Sequence, residues 1–128
     1  MNLRSPLGQV LGSGSAKDGT RHWWAQRVSA IGLVMLGLWF LFALLQMDGF
    51  GYRAVSEWLA RPVNGVLVML LSLTLAYHSS LGIQVIVEDY VHGKFLKIAS
   101  LMLSDFAHLF VAVAALYSVM RIALGASA

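Results

Sequence analysis

Three stretches almost free of charge constrain what this chain can fold into. Val28–Met47 and Pro62–Val87 contain no Asp, Glu, Lys or Arg, and Ile98–Met120 contains Asp105 alone. The hydrocarbon core of a bilayer is crossed by about 20 apolar residues rising 1.5 Å each in a helix, and every stretch reaches that length. The apolar runs are continuous and do not alternate with period two, which excludes a transmembrane β-barrel. Composition points the same way: 59% of residues are hydrophobic and 12% charged, where soluble domains carry about 25% charged residues. The expected fold class is an all-α membrane protein whose transmembrane helices cover about 28–47, 63–87 and 98–120.

Residues 1–26 are polar and rich in Gly and Ser, and they read as an extended, mobile tail. A secretory signal needs an apolar core of roughly 7–15 residues before its cleavage site, and the tail has nothing comparable. Residues 27–128 are then the membrane part. Its first connection, residues 48–62, is short and amphipathic, with Tyr52 and Trp58 suited to the interface and Pro62 marking a helix start. Arg4, Lys17, Arg21, Arg27, Lys94 and Lys97 fall on one side of the membrane, against Arg53, Arg61 and Arg121 on the other. By the positive-inside rule the N-terminus is expected in the cytoplasm of a bacterium, at its inner membrane, or facing a matrix. This topology puts Arg27 and Tyr90 at the same face. The net charge of +3 therefore reports orientation. No basic patch with interleaved aromatics suggests nucleic acid. The absence of cysteine excludes thiolate metal sites, iron–sulfur ligation and cysteine nucleophiles in this chain.

Ionisable groups at membrane depth are costly and face protein or water, not lipid. Here they are His78, Asp105 and His108. At about 100° per residue, Gly82, Val85 and Asp89 fall within about 40° of His78 around its helix. One stripe thus carries an imidazole, a missing side chain and a carboxylate. His78 on its own is consistent with a hydrogen bond to a neighbouring helix or with haem ligation, and Gly82 with room for a flat macrocycle or for a close helix. Asp105 and His108, at i and i+3, can pair with each other, contact other helices, pass protons or contribute to a ligand set. His92 reads as a surface residue.

A mid-helix histidine followed by Asp-Tyr at the helix end, His78…Asp89-Tyr90, resembles the small hydrophobic membrane-anchor subunit of succinate dehydrogenase, respiratory complex II. Arg27-Val28-Ser29-Ala30 is similar to the Arg-x-Ser/Thr-Ala segment that opens the first span of that family. The resemblance implies three spans forming part of a heteromeric helix bundle and His78 as an axial ligand of haem b, paired with a histidine of a second anchor subunit. It also implies a ubiquinone site using Asp89 and Tyr90, and Arg27 near the haem propionates. His22 is a weaker correspondence. The implied partners are that second membrane-anchor subunit, an iron–sulfur subunit, a flavoprotein subunit and membrane lipid. The chain itself has neither a flavin-binding fingerprint nor cysteines for clusters. The imidazole's second nitrogen is expected to donate to a backbone or hydroxyl acceptor.

The competing reading is a small proton-coupled transporter or assembly protein using Asp105 and His108. The remaining small residues suit helix packing: Ala30, Val34 and Gly37 suggest one face of the first span, and Ala107, Ala112, Ala114 and Ala115 enrich the third. Trp23 and Trp24 are expected as interfacial anchors.

Overall fold

A computed structural model of the chain describes residues 15–125. Its elements, in order, are α1 (Ser15–Leu45), α2 (Tyr52–Leu59), α3 (Pro62–Tyr90) and α4 (Lys94–Ala123). The segments Gly19–Leu45, Pro62–Tyr90 and Lys94–Ala123 are long and apolar enough to cross a membrane. All three spans are thus present, each with helix extending beyond the expected boundary at one end or both.

The largest departure is at the N-terminal end. Residues 15–26, expected as extended tail, are helical, and residues 1–14 lie outside the described part. Ala16, Lys17, Arg21, Ala25 and Gln26 are good helix formers, while Gly19 costs only about 1 kcal/mol relative to Ala. Once the apolar helix exists, adding turns needs no new nucleation.

In the first connection, Tyr52–Leu59 closes into a short helix. Its last turn is tied down where the Asn64 side-chain amide donates to the Trp58 carbonyl at 3.0 Å. Trp58 stacks on Trp39 of α1, centroids 5.9 Å apart, and meets Phe40 edge-on at 6.3 Å. Tyr52 remains exposed as expected of an interfacial aromatic, but Trp58 is half-buried against α1. On the outer side, Arg53 and Glu57 pair at 2.8 Å. The carboxylate raises the guanidinium pKa above its ordinary value, although so exposed a pair adds little stability.

Helix α3 is the centre of the molecule. Both α1 and α4 pack against it and make no contact with each other, so the long helices form an open layer. The half-buried and buried residues of α1 recur as His22, Gln26, Ser29, Leu33, Leu36, Phe40 and Ala43, and those of α4 as Lys97, Leu101, Ser104, His108, Ala112, Ala115 and Val119. Steps of three and four keep each set on one face of its helix. This corrects the face read from small residues in the first span. Val34 is exposed and nothing lies within 4 Å of a side chain added at Gly37, whereas Gly32 approaches Thr74 Cγ2 at 3.5 Å. In α4, Ala112 and Ala115 do lie in the seam, while Ala107 and Ala114 are exposed. The buried apolar residues are Leu81, Ala112 and Val119, and long rows of Leu, Val and Phe face outward. A soluble monomer does not present such a surface.

Gly65 is buried where α2, α3 and α4 meet, and a Cβ there would stand 3.0 Å from the Leu59 carbonyl oxygen and 3.7 Å from Val119 Cγ1. Gly65→Val is therefore expected to destabilise the chain by roughly 1–3 kcal/mol through overpacking. Thermal melting of the membrane complex reads this as a lower midpoint; an unchanged midpoint would mean the corner has room.

Candidate functional site

The apolar length of α3 buries its middle in the bilayer, so polar side chains there must find partners within protein. His78 finds one across the seam. Its Nδ1 lies 2.9 Å from Ser29 Oγ, a residue that is 6% exposed. The Ser29 hydroxyl is also 2.7 Å from the Ala25 carbonyl, one turn earlier in its own helix. The Gln26 carbonyl lies 3.1 Å from the same hydroxyl. With the single hydroxyl proton directed at one of these carbonyls, Ser29 Oγ is left to accept from His78 Nδ1–H, and Nε2 takes no part in the bond. Nε2 makes no hydrogen bond and is not among the buried unpaired atoms, so it opens to the surface of the helix pair. The partner foreseen for the second imidazole nitrogen is thus the serine of the Arg27-Val28-Ser29-Ala30 segment.

One turn along α3, Gly82 makes room for a helix. The nearest atom to a Cβ there is Gln26 Nε2, at 3.8 Å. His22, Gln26 and Ser29 form a polar edge on α1, in which His22 Nε2 and Gln26 Oε1 are buried without partners among the described residues. Beside this edge an open groove of about 730 Å³ is lined by Arg21, Trp24, Val28, Ser29, Gly32, Thr74 and Tyr77, among others.

Arg27 is not brought to the His78–Ser29 pair. It is exposed, and by helical geometry it points about 160° away from Ser29 around α1. Its guanidinium lies 5.5 Å from the centre of the Trp23 ring, and Trp23 packs edge-on to Trp24 at 5.1 Å. The cation on the groove side is Arg21, which spacing from the motif did not single out.

Asp89 and Tyr90 end α3, both exposed. Twelve residues of rise separate Tyr90 from His78, about 18 Å along the helix. The turn that carries them is fastened on two sides. The Val91 amide donates to the Val87 carbonyl at 3.0 Å, and Lys97 Nζ reaches back from α4 to the Glu88 carbonyl at 2.7 Å. A lysine at a helix C-terminus also complements the partial negative charge there. The exposed Glu88 carboxylate accepts from Gln84 Nε2 at 2.8 Å.

The Asp105–His108 constellation does not form. His108 Nδ1 lies 2.7 Å from the Ser104 carbonyl and Nε2 lies 3.1 Å from Ser79 Oγ. Because the carbonyl accepts, Nδ1 donates to it, Nε2 is placed to accept from the serine, and both nitrogens are used. Asp105 sits on the exposed side of α4 and is not one of its partners. The helix-local choice at i−4 wins over i−3 because Ser104 offers a carbonyl directly below the ring, while Ser79 lies on another helix and has no sequence signature. No group of three or more His, Cys, Asp or Glu gathers among the described residues.

The sequence profile described as succinate dehydrogenase/fumarate reductase transmembrane subunit matches residues 1–119. Three curated relatives illustrate the similarity. A succinate dehydrogenase hydrophobic membrane anchor subunit from Rickettsia bellii is 36% identical over 90 residues, 70% of this chain and 72% of its own. One of the same description from Paracoccus denitrificans is 29% identical over 126 residues, 98% of this chain and 97% of its own. A succinate dehydrogenase membrane anchor subunit from Reclinomonas americana is 36% identical over 90 residues, 68% of this chain and 75% of its own.

The hydrogen-bond chains make a prediction that precedes any function. Nitrogen-15 NMR of histidine-labelled chain in lipid should find both His78 and His108 neutral with the proton on Nδ1. A proton on Nε2 of His78 would reverse the Ser29 bond and close the free lone pair.

Proposed function

Because the chain belongs to the family of succinate dehydrogenase/fumarate reductase transmembrane subunits, we propose that it anchors a succinate:quinone oxidoreductase in the membrane, holding one axial position of haem b and part of a ubiquinone site. The observation that carries the reading is the Ser29–His78 hydrogen bond, 2.9 Å. An axial histidine needs a neutral imidazole, one free nitrogen, and an acceptor that fixes the other. The Ser29 hydroxyl beside His78 Nδ1 supports this reading, since it can supply that acceptor and leave Nε2 for iron. Iron already held by a porphyrin needs no ligand cluster from the chain. When bound, haem b supplies a one-electron acceptor and donor. A histidine of the second membrane-anchor subunit would hold the haem together with His78, and the flavoprotein and iron–sulfur subunits would supply the electrons from succinate.

Tyr90 and Asp89 serve the quinone. The Tyr90 hydroxyl, at the membrane surface, donates a hydrogen bond to a quinone carbonyl and so orients the headgroup where electrons and protons arrive together. Asp89 holds a cation or a water beside it for proton delivery. Lys97, by capping the Glu88 carbonyl, keeps the turn that presents both. Arg27 comes from the family pattern and Arg21 from the groove as candidates for pairing with the haem propionates. With the N-terminus in the cytoplasm of a bacterium, this end of α3 faces the same compartment as the soluble subunits.

Replacing His78 with Ala in the co-expressed complex tests the haem assignment. The expected result is loss or alteration of the low-spin b-type spectrum, and an unchanged spectrum would refute the ligand role. Tyr90→Phe deletes one hydroxyl and almost no volume. It should weaken quinone reduction by about 2- to 13-fold, the equivalent of roughly 0.5–1.5 kcal/mol for a net hydrogen bond. Succinate oxidation with a soluble artificial acceptor should stay intact, and normal quinone kinetics would return Tyr90 to an interfacial anchor. Arg27→Leu should perturb haem or quinone more than Arg27→Lys; if Arg27→Leu matches wild type, Arg27 has no place in the site.

A further inference from the structure

His108 is the polar group of the membrane interior that the proposed function leaves unused. Its partner Ser79 follows His78 immediately in sequence, so the two side chains leave α3 about 100° apart. His78 reaches Ser29 on α1 at 2.9 Å, and Ser79 reaches His108 on α4 at 3.1 Å. The two helices that flank α3 do not touch each other. Nothing else polar crosses between α3 and its neighbours at this depth among the described residues. An open groove of about 360 Å³, lined by Ser72, Ala76, Ser79, Ala107 and His108 among others, runs beside the second bond. Among these small side chains the Ser79–His108 bond is a directional contact between α3 and α4. His108 provides such a contact with both nitrogens committed, since Nδ1 is fixed to its own helix by the Ser104 carbonyl at 2.7 Å.

We propose that His108 is a positioning residue for His78: its bond to Ser79 sets the rotation of α3 about its own axis and thereby the direction in which the His78 imidazole is presented beside Ser29. The consequence for haem rests on the reading given above, while the rotation itself does not. In this arrangement His108 is an anchored acceptor, and it acts on the haem through Ser79, α3 and His78 in turn.

The test uses the complete complex with His108→Leu, Ser79→Ala, both together, and His108→Gln, which keeps an acceptor for Ser79 and a donor for Ser104. The first readout is the low-spin haem signal in electron paramagnetic resonance, which follows the orientation of the axial imidazole. The second needs no haem. The chain has no cysteine, so Gly32→Cys with Thr74→Cys makes a single disulfide reporter at the α1–α3 seam, where a Cβ at 32 stands 3.5 Å from Thr74 Cγ2. His108→Leu and Ser79→Ala should each retain haem with displaced g-values. Each should lower the cross-linking yield roughly two- to three-fold, the weight of one interhelical hydrogen bond in a membrane protein. The double variant should be no worse than either single one, and His108→Gln should restore both signals. Wild-type g-values and cross-linking in His108→Leu, or additive effects in the double variant, would overturn the proposal. If His108→Leu fails to assemble, Ser79→Ala carries the same test by removing only a hydroxyl. If the complex lacks a haem that depends on His78, the haem reading falls and the cross-linking yield alone decides the rotation.

Discussion

An imidazole about 18 Å along α3 from Tyr90, in a helix long and apolar enough to cross a membrane, needs a polar partner within protein. The Ser29–His78 bond at 2.9 Å meets that constraint, and much else follows from it. The serine cannot satisfy the ring without being buried in the seam, so α1 must present Ser29 to α3 and keep Gly32 and Gly82 at close approach. With its own proton directed at a backbone carbonyl of its helix, Ala25 at 2.7 Å or Gln26 at 3.1 Å, the serine oxygen is left to accept from Nδ1.

The same logic explains why the chain is an open layer. The central helix uses one flank for α1 and another for α4, joined at mid-depth by serine–histidine bonds that run in opposite senses. On α1 the serine accepts from the histidine of α3, and on α4 the histidine accepts from the serine of α3. The rest of the surface is apolar and uncovered, with exposed residues such as Leu41, Phe42, Phe106 and Phe110. Such a layer is completed by lipid and by other membrane helices, as befits the anchor of a larger enzyme. At the other end, the Trp39–Trp58 stack closes α2 onto α1, away from the proposed quinone end.

The spans were legible because apolar length alone identifies a membrane helix, and Pro62 and the short amphipathic connection marked where α3 begins. Of the stripe read on α3, His78 and Gly82 do face α1, whereas Val85 and Asp89 are exposed. The seam of α1 was not legible. In a span that is apolar all round, the face toward lipid and the face toward protein carry the same residue types, so Ala30, Val34 and Gly37 looked as eligible as Ser29 and Gly32. The helical state of residues 15–26 was masked by Gly and Ser upstream, which read as tail although the residues after them favour helix. Partnerships between helices were hidden for a different reason. His108 has Asp105 three residues before it, but its partners are a carbonyl four residues before and a hydroxyl on α3, and only the packing of α3 on α4 reveals the second. Arg27 shows the converse: the motif that names it lies on the right helix, yet helical phase turns it toward Trp23.

At the centre stands the His78 imidazole, whose Nδ1 lies 2.9 Å from Ser29 Oγ and whose Nε2 is the atom proposed to hold haem iron. The measurement that tests this most directly is a cryo-electron microscopy map of the whole complex at side-chain resolution. The predicted result is haem iron on His78 Nε2, with Ser29 Oγ still within hydrogen-bonding distance of Nδ1. A haem ligated elsewhere, or a His78 ring turned away from Ser29, would contradict it.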